Sequence, residues 1–236
     1  MSRPSLRRAM RRAGLERPPR PPRAAGSRNL GIAPPPRIFL PGEAADAGPV
    51  DLAALTGRMA PVEMEIGTGK GRFLFGAAAS NRDRNYVGIE IEPEYAAIAQ
   101  RKAESLGLTN VRILPLDGKA FVTRRLLPGS LAALHVFFPD PWPKKRHHKR
   151  RLFDAAFAAA AAAALETGGL LRVASDHEEY WRVIEAVLGA EPLLARLSEE
   201  ETGPWATETN YEQKFLLTGR PIHKAIYRKR TETTSR

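Results

Sequence analysis

The sequence predicts an α/β protein with a mostly parallel seven-stranded sheet, helices on both faces and an antiparallel last strand. Three observations carry this. An alternating stretch, VEMEI at 62–66, runs straight into Gly67-Thr68-Gly69-Lys70-Gly71 and then a helix over 72–80, the opening unit of a nucleotide-binding sheet. Strand-like and helix-like stretches then alternate until the β-α unit has occurred five times, with two further strands at the end. Each of the first five strands also carries a carboxylate at or just past its end.

A chain of 236 residues has room for one such domain plus tails. Residues 1–37 hold ten arginines, eight prolines and one acid, Glu16, so they supply +9 of the net +11 charge. Without apolar periodicity this stretch reads as a disordered, solvated leader, with loose phosphate contacts or an organellar transit signal as the alternatives. Residues 38–60 form a lead-in with a short helix near 52–58, residues 61–228 the folded domain, and 229–236 a C-terminal tail. No cysteine is present, which excludes disulfides, thiolate metal sites and cysteine nucleophiles. No run reaches the ~18 apolar residues of a membrane span, and no signal-peptide core is visible, so a cytoplasmic protein is expected.

Within the domain, YVGIE at 86–90 is the second strand, ending in Glu90, and Pro93 opens a helix to about 106. VRILPL at 111–116 is the third strand, followed by Asp117-Gly118 and a helix over 119–127. Residues 131–138 form the fourth strand. The alanine-rich 152–165 is a helix that Gly168-Gly169 should end, and LLRVAS at 170–175 is the fifth strand, closing at Asp176. A helix over 178–188, an irregular acidic stretch over 189–210, and two strands at 211–215 and 222–227 complete the domain.

Ligands of open α/β sheets bind beyond the carboxyl ends of the strands. Glu65, Glu90, Asp117, Asp140 and Asp176 therefore share one rim. The glycines Gly67 and Gly69 let a ligand approach the backbone, but Arg72 stands where a dinucleotide fingerprint needs its last glycine, and Lys70 is followed by Gly71 rather than Ser or Thr, so a Walker A loop fails. Five carboxylates would repel a pyrophosphate. They suit a cationic, adenosine-containing cofactor, S-adenosylmethionine, with Glu90 placed to accept the ribose hydroxyls.

The densest stretch is HVFFPDPWPKKRHHKRR at 135–151. Three alternating prolines stop the fourth strand and make a stiff loop that holds Asp140 and Trp142. Six cations follow, Lys144, Lys145, Arg146, Lys149, Arg150 and Arg151, and such a cluster beside an aromatic plane suits a nucleobase and its phosphates. Trp142 can equally pack beside the prolines, and Asp176 can equally cap the next helix, with Glu179 completing a box. His147 and His148 lack partners at ligand spacing, so no metal is assigned.

VEMEIGTGKGRFL, YVGIEIE, LPLDG, FFPDPWPKKRHHKRR, LLRVASDHEEYW and TNYE together resemble the bacterial tRNA (guanine-N7-)-methyltransferase family, across about residues 61–228. The resemblance implies a Rossmann-like class I methyltransferase that acts on a variable-loop guanine, position 46 of tRNA. It implies S-adenosylmethionine contacts at Glu65, Glu90, Asp117 and Asp140, to which the glycine loop adds Gly67 and Gly69. Substrate contacts are implied at Lys144, Asp176, Thr209, Asn210, Tyr211 and Glu212, although Asn210 stands where a basic residue is expected; the cation cluster itself adds Arg146 as a phosphate contact. Asp140 is the candidate catalytic group. An exocyclic-amine RNA methyltransferase and a non-catalytic RNA-binding protein on the same fold are the alternatives, and monomer and homodimer are both compatible with the sequence.

Overall fold

The computed structural model describes residues 48–203, 209, 212 and 219–231. The leader, part of the lead-in and most of the stretch expected as a strand at 211–215 lie outside the described residues. The elements in order are α1 (Leu52–Thr56), β1 (Val62–Ile66), α2 (Arg72–Ser80), β2 (Asn85–Ile89), α3 (Pro93–Ser105), β3 (Val111–Leu114) and α4 (Gly118–Arg125). They continue with β4 (Leu131–Phe137), a 3₁₀ turn (Lys145–Arg150), α5 (Ala155–Ala164), β5 (Leu165–Ser175), α6 (Glu178–Gly189), β6 (Leu194–Arg196), α7 (Glu199–Thr202) and β7 (His223–Lys229).

The sheet order is β3-β2-β1-β4-β5-β7-β6. β1 to β5 are parallel, and β7 runs antiparallel to both of its neighbours. Strand order reverses where β1 lies between β2 and β4, which is where an open α/β sheet forms its crevice.

Alternation along the strands divides the core. Met64, Val87, Leu134 and Leu171 face α4, α5 and α6 through Phe121, Phe157 and Tyr180. Tyr86, Val111 and Ile113 face α2 and α3 through Leu74, Phe75 and Ala99. Each fully buried side chain of this size contributes roughly 1.5–3 kcal/mol. Burial pushes the Tyr86 hydroxyl up to about 12, with the Glu63 charge adding to it.

Two expectations need correction. The alanine helix is not ended by the glycines: α5 starts after its N-cap Asp154, whose carboxylate accepts from the Phe157 N–H at 2.9 Å, and stops at Ala164. β5 begins at once, and Gly168-Gly169 lies inside it at a register irregularity between the Leu131–Leu165 and Ala133–Leu170 pairs. A Cβ on Gly169 would stand 2.8 Å from the Glu166 carbonyl oxygen and 3.2 Å from that of Ala132, so the glycine serves a close backbone approach. The second correction is that a strand, β6, lies in the stretch read as irregular, pairing Leu194 with Lys229 at the sheet edge.

Candidate active site

The rim carboxylates lie at or just past the carboxyl ends of successive strands, in very different settings. Glu65 is level with Gly88 of β2 and His135 of β4, and its Oε2 is buried without a hydrogen-bond partner among the described residues. Burial, and then the neighbouring Glu90 charge, raise its carboxyl well above the usual range. Glu90, just past β2, accepts from the Gly69 N–H at 2.7 Å through Oε2 and from the Glu92 N–H at 3.0 Å through Oε1. The glycine loop is therefore tied to the end of β2, helped by Gly67 N–H donating to the Ile89 carbonyl at 2.8 Å. Gly69 adopts φ 55°, a left-handed conformation that a side chain would strain. Asp117 is exposed and caps α4 by accepting from the Ala120 N–H at 3.0 Å.

A second buried polar group lies on the same sheet face. His135 Nε2 is 2.9 Å from Glu63 Oε2, and Arg84 donates to the other Glu63 oxygen at 3.1 Å. Burial alone would raise Glu63, but the His135 hydrogen bond and the charges of His135, Arg84 and Arg172 leave it below its ordinary value. Burial also lowers His135, against the pull of Glu63, which favours the neutral imidazole.

Past β4 the proline loop is bracketed by two non-glycine residues with left-handed backbone, Phe138 at φ 55° and Trp142 at φ 42°. Such residues cost about 1–3 kcal/mol each and cluster at functional sites. Asp140 between them is exposed. Trp142 is half-buried, with the Arg150 guanidinium 5.0 Å over its ring and His147 edge-on at 5.8 Å. Lys144 and Arg146 are exposed at the start of the 3₁₀ turn, and Arg146 Nε donates to His147 Nε2 at 3.2 Å. Arg151 departs from the expected surface cluster. It is 6% exposed and turned inward onto Pro141 and Glu179.

On the substrate side, Asp176 follows β5 and pairs with Arg220 at 3.0 Å. It does not cap α6: His177 does, its Nδ1 accepting from the Tyr180 N–H at 3.3 Å, while Glu179 turns to Arg151. Thr209 and Glu212 are buried, the Glu212 N–H donates to Thr209 Oγ1 at 3.0 Å, and the Glu212 carboxylate pairs with Lys224. Lys224 and His223 of β7 lie opposite Ala174 and Ser175 of β5, so this group gathers at the same strand ends as Asp176. Asn210 and Tyr211 lie outside the described residues.

Sequence reasoning missed Arg220 and Lys224, whose roles depend on a distant strand returning antiparallel. It also missed the inward Arg151, which reads as one more cation in a run. Among the described residues no group of three or more His, Asp or Glu could hold a metal ion, and no helix is long and apolar enough to cross a membrane.

The sheet order and the site at the β1–β4 reversal define an α/β methyltransferase. A 30S ribosomal A1408 methyltransferase from an uncultured bacterium shares the fold with a TM-score of 0.50 at 16% identity, covering 76% of this chain and 94% of that one. A family model described as a putative methyltransferase matches residues 59–225. Curated relatives are closer in sequence. The tRNA (guanine-N(7)-)-methyltransferase of Cutibacterium acnes is 36% identical over 189 residues, covering 78% of this chain and 68% of the relative. That of Dechloromonas aromatica is 40% identical over 185 residues, covering 77% and 75%. The chain belongs to the tRNA (guanine-N7-)-methyltransferase family.

Proposed function

We propose that the protein transfers a methyl group from S-adenosylmethionine to N7 of a variable-loop guanine in tRNA, with residues 61–228 as the catalytic domain. The observation that carries this reading is the change of sign at Asp140. Carboxylates line the rim before it, and the exposed cations Lys144 and Arg146 follow within one short turn.

The acidic side fits the cofactor. A buried carboxylate oxygen without a partner on Glu65, beside Glu90, suits a cationic ligand bearing hydroxyls and disfavours an anionic one. Glu65, Glu90, Asp117 and Asp140 would hold it, with Gly67 and Gly69 leaving room for close approach to the backbone. When bound, it supplies a methyl group made electrophilic by a sulfonium.

Guanine N7 has a free lone pair and no proton to lose, so the reaction requires no general base. The work left to the chain is positioning and charge. Asp140 accepts hydrogen bonds from the guanine N1–H and amino group, and its negative charge offsets the cationic product. Trp142 stacks on the exposed base, on the ring face away from Arg150. Lys144 and Arg146 hold backbone phosphates, while Asp176 and the Thr209 to Glu212 segment contact the substrate nucleotide.

The test is to incubate the full chain with methyl-labelled S-adenosylmethionine and unmodified tRNA, then analyse the nucleosides. Label in 7-methylguanosine is the expected result. Label on an exocyclic amine would establish the rival chemistry, and no transfer together with no calorimetric cofactor binding would leave an RNA-binding protein on a methyltransferase fold.

A further inference from the structure

Arg151 ends the run of cations but is turned inward, unlike the exposed Lys144 and Arg146. Its side chain is 6% exposed. Nε donates to the Pro141 carbonyl at 2.8 Å, Nη2 donates to Glu179 at 3.0 Å, and the guanidinium lies 4.8 Å over the Tyr180 ring. Its main chain is held as well: the Arg151 N–H donates to the His148 carbonyl at 2.9 Å, and its carbonyl accepts from Lys119 Nζ at 3.0 Å. Lys119 is fixed in turn by Asp154 at 2.6 Å.

Pro141 stands between Asp140 and Trp142. Because proline has no N–H, its carbonyl is the one polar main-chain group that it offers, and Arg151 takes it. On either side of this anchor the backbone is left-handed, at Phe138 and Trp142. Strained backbone of that kind persists only where its surroundings fix it. Arginine suits the task because a planar guanidinium can lie on an aromatic face while its edge donates in two directions, which an ammonium cannot do.

We propose that Arg151 is a positioning residue. It fastens the Pro141 carbonyl to the start of α6 through Glu179 and Tyr180, and so holds Asp140 and Trp142 where they meet the guanine. This rests on the roles given above to Asp140 and Trp142. The basic cluster is therefore divided by function, with Lys144 and Arg146 turned toward phosphates and Arg151 turned toward the loop.

The test compares Arg151→Lys, Glu179→Gln and Asp140→Asn with the unaltered full chain, using unmodified tRNA and S-adenosylmethionine at saturation. A lock of this kind should cost about 10- to 100-fold in kcat when loosened, since misplacement by an ångström is worth that much. Arg151→Lys should meanwhile keep tRNA affinity within about threefold and leave its salt slope unchanged, because no phosphate contact is lost. Glu179→Gln should lower kcat in the same direction by less; it is exposed, so it keeps the test open if Arg151→Lys does not fold. In protein labelled with 5-fluorotryptophan, the ¹⁹F resonance assigned by Trp142→Phe should shift or broaden in both variants. Unchanged kcat with weaker tRNA binding and a salt slope shallower by about one would make Arg151 a phosphate contact and overturn the proposal. An unmoved Trp142 resonance with activity falling only in step with thermal stability would also overturn it, in favour of a structural brace. Asp140→Asn separates the two readings. It should lower turnover by about 10²- to 10³-fold while tRNA is retained. Near wild-type turnover would sink the role of Asp140, and the Trp142 resonance would still judge the lock.

Discussion

Glu65 shows how burial and a neighbouring charge set the protonation of one rim side chain. Burial and the charge of Glu90 raise its carboxyl, and one oxygen has no partner among the described residues. The sign follows from linkage. The unfolded chain ionises first as pH rises, so stability is lost from the ordinary carboxylate range upward until the raised folded value is passed. A cationic ligand has the opposite preference and favours the ionised form. Binding of S-adenosylmethionine below that raised value should release a proton, seen as a binding enthalpy that depends on the ionisation enthalpy of the buffer. Glu65→Gln should abolish the dependence and raise the melting temperature of the free protein at neutral pH; a buffer-independent enthalpy in the unaltered protein would exclude this role. Glu63, two residues earlier, has the opposite fate because His135, Arg84 and Arg172 surround it. The spacing in VEMEI puts both acids on one face of β1, which was legible. The pairing of only one of them with a histidine from β4 was not, since it depends on strand register.

At the scale of elements, the alanines of α5 explain both a success and an error of sequence reading. Ala158, Ala161 and Ala162 are fully buried, and their small size lets the helix lie close to the sheet. A run that is apolar all round shows where a helix is but not where it stops, so the glycine pair is the terminator that sequence alone suggests. Its actual use, a close approach of β5 to β4, is testable. Gly169→Ala should destabilise the fold by about 1–3 kcal/mol, the usual cost of overpacking. Urea denaturation should show a lower midpoint with an unchanged slope, and an unchanged midpoint would mean that the neighbouring carbonyls yield freely. β6 escaped notice for a different reason: three residues at an edge, Leu194 to Arg196, are too few to display alternation.

For the whole molecule, the repeated β-α units were readable because the strand-like runs are punctuated by glycine, proline or an acid. The acidic rim was readable because topology places all five strand ends on one edge. The pairing of Arg220 with Asp176, of Lys224 with Glu212 and of Arg151 with Pro141 was not, since each partner lies 10 to 44 residues away in sequence. Net charge gives a weaker guide, because +9 of the +11 belongs to residues 1–37. Removing those residues should leave the salt slope of tRNA binding within about one unit, the weight of one phosphate contact. A larger fall would assign backbone contacts to the leader. The left-handed residues Phe138 and Trp142 carry a consequence of another kind. A domain holds only about 5–15 kcal/mol of net stability, and these two positions oppose it by about 1–3 kcal/mol each. Substitutions that relax them should raise stability and, on the roles proposed for Asp140 and Trp142, lower turnover. On that reading stability and activity are opposed at the proline loop, and gains in robustness that keep turnover are expected at residues away from it.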